Sequence, residues 1–433
     1  DIDKAITFDE QVDLNVRDRS KSMEIEVDIT EENPDFESFE ELEDGNIAFG
    51  EPMPQEEEID FYENLAEVLD DSDLSSLKND LMGSIDSDKE SRSDWEKTYR
   101  DGLEYLGMKY EERSRPFEGA SGVMHPLLAE SVTQFQAQAY NELLPSQGPV
   151  KTQVIGMTTP ETEQQAARVQ EFMNYQLMQV MREYDSETDQ MLFYLPLSGS
   201  AFRKVYYDQN LGRAVSKFIP SEDLIVPYGA TDLHSATRIT HVLDMSMNEI
   251  RKLQQIGFYR DVELNTGGSS ANEIDDIQEE IDELQGVKPG FDDNDTCKVH
   301  EIHTELDIPG FEDLDAEGEE TGIKLPYIVT IASGKVLAVR RNYKEDDQLK
   351  QRINYFVHYK FLPGLGFYGF GLTHMIGGLS KAATSILRQL IDAGTLSNLP
   401  AGFKARGIRI RNDDQPLQPG EFRDMDAPGG SLR

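Results

Sequence analysis

Apolar residues along this chain recur with two different periods, and the change of period divides it into elements. From 379 to 393, Leu379, Ala382, Ala383, Ile386, Leu387, Leu390, Ile391 and Ala393 return every three or four residues, which places them on one face of a helix. Ser380, Lys381, Thr384, Ser385, Arg388, Gln389 and Asp392 fill the other face, and Gly394, Asn398 and Pro400 supply stop signals. Upstream, Ser93-Asp-Trp-Glu96 has the form of a capping box, followed by Trp95, Tyr99, Leu103, Leu106 and Tyr110 on one helical face. The lone tryptophan reads as core. Pro126 opens a second helix carrying Leu128, Val132, Phe135 and Ala139. A third takes Thr159 as N-cap and Pro160 as its first residue, with Ala166, Val169, Met173, Leu177 and Val180 as its expected buried stripe.

From Phe202 the period shortens to two. The runs 202–207 and 214–220 flank a hairpin-like turn at 208–212, and 224–227 and 238–243 continue the strand character. Ser246-Met-Asn-Glu249 is a second capping box, with Met245 and Ile250 as a hydrophobic staple, and that helix ends at Gly257. Residues 298–306 read as a strand feeding a hairpin of 327–331 and 336–339 across Ala332-Ser-Gly334. Helices and antiparallel strand runs in separate blocks give the class α+β.

Composition modifies this picture in two places. The 433 residues carry a net charge of −42, yet residues 1–90 alone hold −25 and residues 261–320 hold −19, so the rest is close to neutral. The first block reads as an acidic, largely extended N-terminal arm in which only 61–69 has the apolar content to dock, and the second as an acidic insertion. A surplus of this sign disfavours a clamp that grips nucleic acid through many phosphate contacts. The single cysteine, Cys297, excludes an intramolecular disulfide, and no apolar run approaches the ~18 residues that span a bilayer. The chain therefore reads as a soluble protein made in a reducing compartment.

Candidate chemistry is sparse. Gly364-Leu-Gly366-Phe-Tyr-Gly369 fits G-x-G-x-x-G between a strand-like run and a helix, as a dinucleotide-binding enzyme requires. Phe367, Tyr368 and Phe370 crowd the positions where backbone must approach a pyrophosphate, and Pro363 interrupts the entry, so Gly364, Gly366, Gly369 and Gly371 read instead as an aromatic hinge. The start of a calcium loop at 313–318 lacks the closing glutamate, since Lys324 stands there. Cys297, His300 and His303 lack a fourth zinc ligand at matching spacing. Neither a metal nor a cofactor is expected, and no nucleophile motif marks an enzyme.

Three segments carry a family likeness. Arg115-Pro-Phe-Glu-Gly-Ala-Ser-Gly-Val-Met-His-Pro126, the helix through Asn141-Glu-Leu-Leu-Pro145, and the stretch from Gly377-Gly-Leu-Ser to Leu387-Arg-Gln-Leu-Ile-Asp-Ala-Gly-Thr-Leu-Ser-Asn-Leu-Pro400 resemble portal proteins of tailed bacteriophages, the short-tailed ones above all. The resemblance covers residues 90–433. It implies a ring of about twelve subunits at one capsid vertex of the virion, through which double-stranded DNA is packaged and ejected. Expected partners are the terminase large subunit, a tail adaptor protein and the major capsid protein, with no membrane. It implies a wing over 91–370, a stem helix over 371–399 and clip-like strands over 400–433, with a second stem helix, tunnel loop and crown to be expected after Arg433. In such a ring Lys381 and Arg388 form rings of positive charge facing DNA, motor or tail, and Lys404, Arg406, Arg409 and Arg411 form a basic collar. The competing expectations are the dinucleotide enzyme and a generic acidic scaffold or adaptor of a virion.

Overall fold

Ten strands and eight α-helices make up the described part of the chain, a computed structural model covering residues 60–108, 113–115, 117, 119–264, 276–286, 296–314 and 320–398, plus the backbone of 409–410 and 425–426. The largest sheet is antiparallel, in the order β3 (Leu224–Ile225), β4 (Arg238–Ser246), β5 (Thr296–Leu306), β6 (Leu325–Ala332), β7 (Lys335–Arg341). Val299 and Ile302 on β5, Val329 and Ile331 on β6, and Leu337 and Val339 on β7 are buried. The β6–β7 turn uses Ser333 and Gly334, both at positive φ. The acidic stretch expected as an insertion thus contributes the central strand of this sheet: its charge sits before and after 296–306, and the strand itself alternates apolar residues within the run.

The free side of β7 would be an exposed edge. Residues 61–67 cover it: Asn64 donates through Nδ2 to Leu337 O (3.1 Å) and accepts from Val339 N (2.9 Å), while Arg340 and Arg341 donate to Tyr62 O and Phe61 O. Leu65 and Ala66 are buried there, as the docking expectation for 61–69 anticipated.

The helix α1 (Asp71–Ser91) corrects the reading of 60–90 as extended chain; residues 1–59 lie outside the described residues. Net charge obscured its phase. Leu74, Leu81 and Ile85 share one buried face, and the acidic Asp71, Asp73, Asp80 and Asp86 lie elsewhere on the helix. Asp88, on the buried side, holds Arg238 of β4 at 2.6 Å.

The helix α2 (Ser93–Tyr105) follows almost without a break. Ser93 is its first residue, not its cap, and the Glu96 carboxylate takes Arg92 Nε (2.7 Å) in place of a backbone amide. Arg92, buried at this joint, also donates to the carbonyls of Ser221, Glu222 and Leu224. Five donors in a rigid fork make arginine the one side chain able to close such a corner.

Helix α3 (Leu127–Leu143) begins after Pro126 as predicted and buries Leu128 and Val132. Helix α5 (Glu183–Ser198), after α4 (Pro160–Tyr175), has no counterpart among the predicted elements, because its first half is polar and Pro196 sits in its last turn. Helix α6 (Met247–Gln255) carries the predicted capping box. Helix α7 (Asp276–Gln285), within the second acidic block, buries Ile277 against the α2 cluster.

A three-stranded sheet, β2 (Arg213–Ile219), β1 (Ser200–Asp208), β8 (Phe356–Lys360), meets the larger one through a part-buried ion pair. Lys204 of β1 donates to both carboxylate oxygens of Glu301 on β5 at 2.6 Å, and His303 Nε2 lies 2.7 Å from the same carboxylate. Burial alone would push the Glu301 carboxyl up; Lys204 and His303 outweigh it and hold it well below the usual carboxylate range. His241, opposite Glu301 on β4, is lowered to about 3 by burial.

Both shifts have the same sign for stability. The unfolded chain protonates His241 near its ordinary value of about 6.5, so stability falls as pH drops from there toward 3, and the Glu301 contribution goes as pH falls below the unfolded carboxyl value. At pH 5 the His241 part alone costs about 2 kcal/mol relative to pH 7.5. Urea unfolding at the two pH values should show at least that loss, and His241→Phe should shrink the difference between them.

Candidate assembly surface

Strand β8 leads through the glycine-rich loop into α8 (Leu372–Asn398), the longest helix among the described residues. The loop is held at every turn by the chain itself. Gly369 N donates to Ser200 Oγ (2.8 Å), Gly371 N to His374 Nδ1 (3.1 Å), and Phe370 N to Leu362 O (2.9 Å). Phe367 is buried between Phe202 and His358, and Tyr368 stacks on Trp95 at 4.5 Å. The amides and the space that a pyrophosphate needs are therefore already taken by Ser200, His374 and Phe367.

At two of the four glycines read as a hinge, Gly369 and Gly371, close packing is what requires the residue. None of the four has a positive φ. A Cβ at 371 would lie 2.5 Å from Leu197 O and one at 369 would lie 2.4 Å from Gly199 O, so two backbones cross where only glycine fits. Gly199 itself ends α5 in the left-handed region at φ 88°. Gly364 is close to Tyr368 O (3.0 Å), whereas Gly366 stands in open space.

Beyond the loop, α8 presents its faces the other way round from the usual amphipathic helix. Five of its polar side chains are docked, beside the apolar Leu372 and Ile376, while Lys381, Ser385 and Gln389 stay exposed. Thr373 Oγ1 donates to Leu197 O (2.9 Å), Ser380 Oγ to His125 O (3.4 Å) and Arg388 Nε to Val123 O (2.8 Å). Thr384 Oγ1 accepts from His125 N (3.0 Å) and Asp392 Oδ1 from Ser121 N (2.7 Å). Ser380 is 1% exposed and Asp392 9%. The reason lies in 121–125, an irregular run of backbone that pairs with no strand among the described residues and whose polar groups the helix side chains satisfy.

The apolar face is left outside. Leu379 is 63% exposed, Ile386 66% and Leu390 70%, with Met375 above them in the same row. Ala382 and Ala393 complete an uncharged stripe from 375 to 393.

Of the two cations expected to face DNA, motor or tail, Lys381 is exposed and Arg388 is half-buried. Lys381 Nζ meets Tyr105 OH (3.1 Å), a bond that raises the lysine pKa, and Arg388 is turned onto Val123. Both line a cleft of about 570 Å³ with Arg113, Phe117, Glu104 and Asp392. Lys404, Arg406 and Arg411 lie outside the described residues; Arg409 is in the two-residue strand β9 (Arg409–Ile410), paired with β10 (Met425–Asp426).

Helix α4 shows a second exposed apolar face. Its predicted N-cap Thr159 is in place, with Thr162 reciprocating. Its expected buried stripe is not: no residue of α4 is buried, and Val169, Phe172, Met173 and Tyr175 are exposed. The helix continues as a π turn over Gln176–Val180 and is tied to the body by Thr152, whose Oγ1 donates to Ala166 O, and by Asn174, which exchanges bonds with the backbone of Val150. The spacing identified an apolar row but assigned it to the core of the same chain.

Among the described residues no helix is long and apolar enough to cross a membrane. No family model and no curated protein matches this chain.

Proposed function

We propose that this chain is the subunit of a bacteriophage portal: a ring at one capsid vertex of the virion through which double-stranded DNA enters and leaves, with no catalysis of its own. The observation that carries the reading is the inverted helix α8, whose uncharged stripe faces outward while its polar side holds 121–125. An uncharged stripe of this length on a long helix calls for a neighbouring copy. Covering Leu379, Ile386 and Leu390 contributes about 1.5–3 kcal/mol each.

In this reading the three- and five-stranded sheets and α1–α7 form the wing and α8 the stem, and the motif-bearing segments of the family likeness are the ones that pack together, 121–125 against 373–392. Lys381 and Arg388 fix the stem to its own wing. The basic collar is then left to Lys404, Arg406, Arg409 and Arg411, which would face the terminase large subunit during packaging and the tail adaptor afterwards; the wing would meet the major capsid protein. The acidic balance of the chain suits a conduit in which DNA slides without being gripped.

Light scattering on the purified chain tests this. The expected mass is about twelve times the 49.0 kDa of one chain; a mass of one or two chains overturns the reading.

A further inference from the structure

We infer that α8 is a jointed helix: its start is fixed in the core, and 380–398 is an arm that unlatches from 121–125 and swings about Gly377 and Gly378. The two parts are held by different forces. Leu372 and Ile376 pack on the apolar cluster of Tyr99, Leu103, Leu128 and Leu197. Thr373 presses on α2 at Gly102, where a Cβ would lie 2.5 Å from the threonine Oγ1. Apolar burial of this kind has no substitute in water. After Gly377 only Ser380 and Asp392 are buried, while Ala383 and Leu387 are half-buried.

The arm is latched by a polar ladder with one rung per turn. Ser380, Thr384, Arg388 and Asp392 follow one another at helical spacing and reach His125 O, His125 N, Val123 O and Ser121 N in turn. Water can replace each rung, so each adds little net free energy to docking. On its flank the same arm faces Tyr105, Phe117 and Met124 across the cleft of about 570 Å³. The joint is marked by its glycines. At Gly369 and Gly371 close packing accounts for the residue, but a Cβ at 378 would meet nothing within 4 Å and one at 377 only an ordinary contact at 3.5 Å from Tyr105. Packing does not require glycine at either position, and adjacent glycines inside a helix weaken it where they stand and are a recognised place for it to bend. In the ring reading this is the joint between wing and stem, yet the motion belongs to a single chain and stands or falls without the ring.

Pulsed electron spin resonance distances on the full chain test this, in a Cys297→Ala background and with labelled chain diluted into unlabelled chain. One pair of nitroxides sits at Glu104→Cys and Gln389→Cys, exposed positions on α2 and on the arm that both line the cleft. A second pair, at Lys97→Cys and Met375→Cys, joins α2 to the fixed start of α8. The first pair should give a major and a minor distance, the second a single narrow one. Thr384→Val with Asp392→Ala removes two rungs and should raise the ratio of minor to major population on the order of tenfold. Gly377→Ala with Gly378→Ala stiffens the joint and should lower that ratio by about fivefold or more. In both variants an unchanged second distance reports an intact fold. A single narrow distance for the first pair in wild type that neither variant alters overturns the jointed helix, and so does equal broadening of both pairs, which would make the whole helix loose.

Discussion

Replacing Ile386 and Leu390 together by aspartate should leave the fold intact and abolish self-association. At 66% and 70% exposed, these side chains contribute little to the stability of one chain, so the melting temperature should move by no more than a few degrees. In the assembly each is expected to be covered. Losing about 1.5–3 kcal/mol of burial per side chain, with a carboxylate to desolvate besides, corresponds to an affinity loss of about a thousandfold or more. Sedimentation velocity alongside thermal melts separates the two effects. A variant that unfolds would place the stripe in the chain's own core, and a variant that assembles normally would show that the stripe is not the interface. Leu387 makes a poorer probe. It is half-buried, and an aspartate there confounds folding with assembly.

The second large effect concerns a single methyl group. Gly371→Ala should destabilise the chain by about 3 kcal/mol or more, because the new Cβ would lie 2.5 Å from Leu197 O, 2.7 Å from Gly199 N and 2.8 Å from Pro196 O. Backbone atoms on three sides have no rotamer to retreat to. Gly366→Ala, five residues earlier in the same loop, meets nothing within 4 Å and should change stability by less than about 0.5 kcal/mol. Chemical unfolding of the pair distinguishes a packing crossing from a hinge. If the two substitutions cost the same small amount, the crossing is not what requires glycine at 371.

Local structure was more legible than orientation. The capping box at Ser246, the Thr159-Pro160 start, the turn at Ala332-Ser-Gly334 and the strand 298–306 all lie where propensity and period place them, since each depends on residues close in sequence. The row of apolar residues on α8 was equally visible. Which way it faces was not, because that depends on 121–125, some 260 residues away, needing hydrogen-bond partners that only a polar helix face supplies. The same limit applies to α4, whose row reads as core but has none of its residues buried among the described residues.

Charge misled for a related reason. Composition averaged over 1–90 conceals three correctly phased apolar residues in α1, and the average over 261–320 marks as an insertion a block that holds the middle strand of the main sheet, which its own period had picked out. The glycine motif misled through its regularity: G-x-G-x-x-G records where backbone comes close to something, and here that is Gly199, Leu197 and Ser200 of the same chain. Only the aromatic residues between the glycines signalled this in advance, since Phe367 and Tyr368 belong to a packed core.

The central claim is that this chain closes into a ring around a channel, and electron-microscope class averages of the purified full chain test it most directly. The account predicts end-on views with about twelvefold symmetry and a central hole on the order of the width of a DNA duplex; a field of single compact particles, or of two-fold dimers without a hole, would contradict it.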